Sequence, residues 1–195
     1  MTAREALARI EDWARGRSLD LRHDPASGFG AVFSRCGGWR YLLWRAAHPR
    51  GRLLGMGMLN PSTADDMHDD PTIRRCRARA EQAGFPGLIV WNLFAYRATL
   101  PADLKRAGDP VGPDNDDAIA LALALCPRTI VAWGNHGAHL GRDRAVLGIC
   151  AGTETRLAAL GTTAQGQPRH PLYLPAGTRA RRWSPPAARL FQAGG

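Results

Sequence analysis

Leu53-Leu54-Gly55-Met56-Gly57-Met58-Leu59-Asn60-Pro61-Ser62 is an apolar run that stops abruptly at a polar turn. Every residue from Leu53 to Leu59 is apolar or glycine, the composition of a strand buried on both faces, as central strands of a parallel sheet are. Asn60, Pro61 and Ser62 then fall at its carboxyl end. In open α/β sheets that edge is where ligands bind, because the loops leaving the strands form a crevice.

Two more stretches share this character. Gly87 to Phe94 is a second buried strand with one polar residue, Asn92, near its end, and Thr129 to Trp133 is a third, followed by Gly134-Asn135-His136-Gly137. Helical signals separate them. Asp70 is placed as an N-cap, Pro71 suits the first helical position, and Gly84 follows the end of a helix with Ile73, Cys76, Ala80 and Ala83 on its apolar face. Asp114, Asp116 and Asp117 open another helix, where acids favour the amino-terminal dipole. Its end precedes Pro127, and Tyr96 to Asn115 before it reads as irregular, with three prolines.

Upstream, Thr2 and Glu5 form a capping box for a first helix carrying Leu7, Ile10 and Trp13 and stopped by Gly16. Phe29 to Ser34 and Trp39 to Ala46 read as an antiparallel hairpin flanking the main sheet. Downstream, His139 to Ile149 is one broken helix or two short ones. Arg156 to Leu160 is equally a strand or a helical turn. The alternation predicts a three-layer α/β/α sandwich around a mostly parallel central sheet, with the helix and hairpin at the amino end.

With 195 residues and 45% hydrophobic content the chain suits a single domain over 1–195, its core spanning about 29–183. No apolar run approaches the ~18 residues of a membrane span, and the amino terminus mixes acids and bases unlike a signal peptide. The expectation is a cytoplasmic protein without membrane association, and a monomer. All but one of the 26 basic residues are arginine, and the net charge is +9. No acid follows Glu154, while Arg156, Arg169, Arg179, Arg181, Arg182 and Arg189 do, so the carboxyl end is a one-signed patch suited to phosphates. Cys36, Cys76, Cys126 and Cys150 contain no closely spaced pair and read as reduced thiols. His68, between acids, has no second His at ligand spacing, so no metal is expected. No cofactor is implied.

Four landmarks stand in order: Asn60-Pro61-Ser62 after one strand, Asn92 at the end of the next, Trp133-Gly134 after the third, and His170-Pro171 in the last loop. This order resembles the uracil-DNA glycosylase superfamily, whose members carry a Gly-x-Asp-Pro-Tyr or Gly-x-Asn-Pro-Gly motif, a base-reading Asn at a strand end, a Trp-Gly motif and a late His-Pro or Asn-Pro motif. The blocks LNPSTAD, DPTIRRC, NLFAYRAT, DPVGPDND and HPLYL are also similar to an uncharacterised bacterial and phage family, over roughly Phe33 to Trp183. That family brings no activity of its own.

The superfamily resemblance implies a glycosylase-like fold and a monofunctional DNA glycosylase acting on a base swung out of single- or double-stranded DNA. It makes Asn60 and His170 the catalytic pair, Asn60 positioning water and His170 donating a hydrogen bond to the ring carbonyl as negative charge develops. An amide cannot take a proton from that water, so Asp65, Asp66, Asp69 or Asp70 is left open as a base. The base site would comprise Leu59, Ser62, Asn92 and Phe94, with Phe94 or Trp91 stacking on the base. Asn92 has a donor and an acceptor and reads uracil or thymine one way round and cytosine the other. Strict uracil enzymes place a bulky Tyr where Ser62 stands, so the small side chain implies room for 5-substituted pyrimidines, including the modified cytosines of phage DNA, in repair or anti-phage defence. Met58 stands where the superfamily usually has Gly, against a close backbone approach. Leu172, Tyr173 and Leu174 match an apolar wedge into the duplex, with Arg169, Arg179, Arg181 and Arg182 holding phosphates. Lys105, the only lysine, lies away from the motifs, which leaves no lyase step. The rival readings are a catalytically silent nucleic-acid or nucleotide-binding module of the same fold and an N-glycosidase acting on free nucleosides or nucleotides.

Overall fold

The computed structural model describes residues 1–185. Among them the elements run α1 (Ala3–Gly16), β1 (Asp20–Asp24), β2 (Phe29–Phe33), β3 (Arg40–Arg45), β4 (Leu53–Met58), α2 (Pro71–Gln82), β5 (Gly87–Asn92), α3 (Pro101–Arg106), α4 (Asn115–Leu125), β6 (Arg128–Val131), α5 (Arg142–Ala151), β7 (Arg156–Ala159) and β8 (Arg181–Arg182). Short 3-10 segments cover Asn135–Gly141 and Pro171–Tyr173. No helix among the described residues is long and apolar enough to cross a membrane.

All eight strands join one sheet in the order β1-β2-β3-β5-β4-β6-β7-β8. Strands β5, β4, β6 and β7 pair in parallel, and the other four pairings are antiparallel. The sheet is therefore mixed, which corrects the expected mostly parallel one. The physical reason lies at the edges. The β2–β3 hairpin does not flank the sheet; β3 pairs directly with β5, Leu43 opposite Val90 and Arg45 opposite Leu88. Strands β1, Asp-Leu-Arg-His-Asp, and β8, two arginines, lack the apolar alternation by which a strand is recognised.

Side chains alternate between two cores. Leu42, Trp44, Ile89, Trp91, Val131 and Trp133 pack toward α1, α4 and α5, while Leu43, Leu54, Met56, Leu88, Val90 and Ile130 pack toward α2. Gly57 is required on the first face: a β-carbon there would sit 2.6 Å from the Trp91 ring. The helices thus make two outer layers, with α2 on one side sharing its layer with the chain around Leu174 and Ala180.

Most local signals act as their chemistry dictates. Thr2 and Glu5 cap α1 reciprocally, and Asp70 caps α2 by accepting from Ile73 N at 2.8 Å. The segment from His139 to Ile149 resolves into the end of a kinked 3-10 turn followed by α5, and Arg156–Ala159 is a strand. The irregular stretch after Tyr96 contains the short α3. Cys76, Cys126 and Cys150 are buried, their thiols pushed up to about 12, 12 and 11 by desolvation, and Cys36 is exposed.

Candidate functional site

Strand β4 sends its crossover through α2 to β5 on one side, and the chain then returns through α4 to β6 on the other. The connections therefore diverge at the carboxyl ends of β4 and β6, the switch point at which open α/β sheets leave a crevice. A cavity of about 560 Å3 occupies it. Its lining includes Leu59, Asn60 and Ser62 from the β4 exit, Asn92 from the end of β5, Trp133, Gly134 and His136 beyond β6, and Arg169, His170, Leu172 and Tyr173 from the last loop.

The β4 and β5 exits are laced together before they diverge. Leu93 N donates to Met58 O and Phe94 N to Leu59 O, both at 3.0 Å, and Ala98 N donates to Pro61 O. Asn60 then turns its amide nitrogen to the carbonyls of Ala98, at 2.7 Å, and Pro61, at 2.9 Å. Both amide hydrogens are engaged, which fixes the orientation of the group and leaves Oδ1 as its acceptor. Asn92 is 2% exposed, and its amide nitrogen has no partner among the described residues. Its backbone is held from behind. Fully buried Asn115 donates to the carbonyls of Asn92 and Leu93, and Arg142 donates to Leu93 O at 2.7 Å and pairs with Asp116. A buried amide left without a partner costs about 1–3 kcal/mol, so such a group in a cavity wall is suited to a ligand's acceptor.

The loop bearing His170 is fastened to β6 by another buried set. Trp133 Nε1 donates to Gln167 Oε1 at 2.8 Å, Gln167 Nε2 donates to Asp143 Oδ2 at 2.6 Å, and Gly134 N donates to Pro168 O at 2.8 Å. Gly134 does this at a φ of 65°, a left-handed conformation that favours glycine. His170 Nδ1 accepts from Leu172 N at 3.3 Å, which assigns the proton to Nε2 and makes that atom the ring's donor. Burial lowers the His170 pKa below its ordinary 6.5, against a smaller opposing effect of Asp70, so the ring is neutral at pH 7.

Among the four aspartates of the β4–α2 loop, the geometry separates one from three. Asp65 accepts from Met67 N and His68 N and faces the exposed His68 ring, Asp66 lies toward Arg22, and Asp69 is gripped by Arg45 and Arg77. Only Asp70 lines the cavity. It is also the only carboxylate among the lining residues, with Oδ1 accepting from Ile73 N and Oδ2 from Ala64 N at 3.4 Å.

Three expected contacts require correction. Phe94 is fully buried in the core toward α4 and α5, its ring 5.7 Å from that of His139, and does not line the cavity. Trp91 is likewise buried against Trp133. Trp91 lies there by the alternation of side chains along β5, and Phe94 because the strand ends at Asn92 and the consecutive residues Leu93, Phe94 and Ala95 all turn into that core. Leu174 is 9% exposed and packs with the α2 core, whereas Leu172 and Tyr173 stand at the cavity rim 37% and 74% exposed. Met58 places its side chain in the α2 core and against the cavity. Arg179, Arg181 and Arg182 line a separate cleft of about 620 Å3 and do not line the cavity. Arg189 lies outside the described residues. Lys105 is on α3 and does not line the cavity.

The sequence reading missed Arg40, His136 and Thr163 as cavity residues. Arg40 stands at the start of β3, in the hairpin assigned to the periphery; a charged residue within a strand otherwise buried was the available signal.

The fold and cavity define an α/β protein with a mixed sheet and a cavity at its switch point. The chain belongs to a family described as "Protein of unknown function (DUF1643)", whose model matches residues 40–172 and so takes in every strand from β3 to β7 and the His170 loop. No curated protein and no solved structure matches the chain.

Proposed function

We propose that this protein is a monofunctional glycosylase that hydrolyses the N-glycosidic bond of a modified or mismatched pyrimidine in DNA, leaving an abasic site. The observation that carries the reading is convergence: Asn60, Ser62, Asn92 and His170, far apart in sequence and on three separate segments, line one cavity. The resemblance in motif order to the uracil-DNA glycosylase superfamily supports the same reading.

The chemistry needs a base withdrawn from its stack, a donor where charge grows on the ring, and water held against the sugar. The cavity volume accommodates a pyrimidine with a substituent. Asn92 reads the polar edge of the ring. As the bond from the sugar to the ring nitrogen breaks, its electron pair passes to the base, and His170 Nε2–H donates to the ring carbonyl that receives the charge. Asn60 Oδ1 accepts from the attacking water, whose oxygen bonds to the sugar carbon and whose proton passes to solvent. Asp70 sets one negative charge opposite the developing sugar cation. Leu172 and Tyr173 at the rim fill the space the base vacates, and Arg169 beside them takes a phosphate.

The test is incubation with duplexes carrying uracil, mismatched thymine and a series of 5-substituted cytosines, followed by alkaline cleavage of abasic sites and mass analysis of released base. Release by the wild-type protein and not by His170→Ala establishes the reaction. Retained DNA binding with no base released from any duplex overturns it in favour of a binding module, and release from free nucleotides alone overturns the polymer substrate.

A further inference from the structure

Among the described residues four arginines are almost wholly buried, and three of them are spent on the fold. Arg45 donates to the carbonyls of Trp44, Asp65, Asp66 and His68 and pairs with Asp69. Arg79 holds the carbonyls of Pro175, Ala176 and Thr178, and Arg142 holds Leu93 and Asp116. Arg40 differs. It is 2% exposed, yet its only hydrogen bond to the described residues runs from Nη1 to Ala64 O, and no carboxylate is in ion-pair contact with it. Its Nε is buried without a partner among the described residues, as that of Arg79 also is, but Arg79 fills both Nη atoms with carbonyls whereas Arg40 Nη2 makes no bond to the described residues.

Those two donors lie side by side on one edge of the guanidinium, the edge that takes a carboxylate in two parallel hydrogen bonds. Arg40 lines the cavity, and so does Ser62, two residues before the Ala64 carbonyl that Arg40 holds. Cation and small side chain therefore belong to one wall. Asp70, the only acid in the lining, favours the cation through space but makes no ion pair with it, its oxygens accepting instead from the backbone amides of Ile73 and Ala64. The Nε–Nη2 edge therefore has no hydrogen-bonded acceptor among the described residues. Desolvation lowers the Arg40 pKa to about 10, which leaves it a cation at pH 7.

We infer that Arg40 is a receptor for an anionic group brought into the cavity on the pyrimidine ring, so that the site selects bases with a negatively charged substituent on the Ser62 side. The inference rests on the pyrimidine reading of the cavity. A carboxylate supplies the two acceptors that the free edge requires, and a neutral alkyl substituent in the same place leaves a desolvated cation unpaired.

Binding and cleavage are measured separately. In ligand-observed NMR and calorimetry, 5-carboxyl-2′-deoxycytidine binds the wild-type protein about tenfold to a hundredfold more tightly than the 5-methyl nucleoside, the range for a charge-assisted pair. Deoxycytidine monophosphate gains nothing over deoxycytidine. Arg40→Met abolishes the carboxyl preference, and Arg40→Lys restores part of it through charge without the paired donors. Loss of the Ala64 contact alone would weaken both nucleosides alike and leave their ratio unchanged. Equal binding of the two nucleosides by the wild type overturns the inference, as does an Arg40-dependent gain for the monophosphate, which would identify a phosphate as the anion. If Arg40→Met does not fold, the wild-type ratio and Arg40→Lys still decide. In duplexes, carboxyl-selective binding without base release leaves the receptor standing and removes the glycosylase; release of neutral bases without carboxyl preference does the reverse.

Discussion

Arg40 and Arg45 open and close the same strand and are equally buried, at 2% exposure, yet they do opposite things. Arg45 spends its donors on one loop, binding its carbonyls and the Asp69 carboxylate while its guanidinium lies 4.4 Å from the Phe29 ring centroid. Arg40 has one carbonyl and a cavity. A buried charge is costly wherever it sits, so its hydrogen-bond inventory separates a structural clamp from a group kept for a ligand. Burial alone does not.

The largest effect should fall on the clamp. Arg45→Met strips the carbonyls of Asp65, Asp66 and His68 of their partner and leaves the Asp69 carboxylate with Arg77 alone, and removing one side of a buried pair costs about 3–5 kcal/mol. Urea unfolding should record that loss, and hydrogen exchange should quicken from Asp65 to Asp70. Unchanged stability would place Arg45 with Arg40 and erase the distinction.

On the cavity side the largest effect should be kinetic. Removing a donor aimed at developing charge costs about a hundredfold to a thousandfold in rate, and His170→Ala should lose that much in kcat with little change in unfolding midpoint. The same side chain sets the acid limit. Burial depresses its pKa below 6.5, so the unfolded chain binds the extra proton first as pH falls. Stability should decline from about pH 6.5 downward until the folded-state value is passed. Activity should fail only around that lower value, when protonated Nδ1 stops accepting from Leu172 N. A pH–rate profile of His170→Gln lacking this acid limb confirms the assignment, and an identical limb refutes it.

How much of this was legible in sequence follows from the range over which each signal acts. The buried β4 run, the α2 cap and the Asn60, Asn92 and His170 positions at element ends are local chemistry, and local chemistry is written in consecutive residues. Strand partners are not: β1 and β8 are polar edge pieces without a strand pattern of their own, and only their pairing with β2 and β7 makes them strands. Phe94 and Leu174 beside motif residues looked like site residues because the bend after β5 and the exit from the Pro171–Tyr173 turn, which send them into the cores, are not written in the motifs. Arg40 reaches the cavity only through antiparallel pairing of β3 with β5, a contact unreadable before the sheet order is known.

A smaller effect distinguishes the two jobs of Asp70. Asp70→Asn keeps an acceptor at the cap of α2 and removes the charge, while Asp70→Ala loses both. The alanine variant should cost about 1 kcal/mol in stability, typical of a lost N-cap, and the asparagine variant much less. Both should slow base release if the carboxylate opposes the sugar cation. Normal turnover in Asp70→Asn would assign Asp70 to the helix alone.

The smallest expected effect carries the most weight. Arg40→Met in the ligand-free protein gives up one hydrogen bond to Ala64 O and leaves that carbonyl without it, but it also removes a desolvated cation that makes no ion pair among the described residues. These terms oppose each other, and exchanging a buried charged group for a methionine of similar reach is often neutral or stabilising, so the net change should stay within about 1 kcal/mol. Set beside several kcal/mol for Arg45→Met, that near-zero value would mean the fold has no use for the Arg40 charge. A loss as large as that of Arg45 would make Arg40 another clamp and withdraw the argument that its free edge awaits an anion.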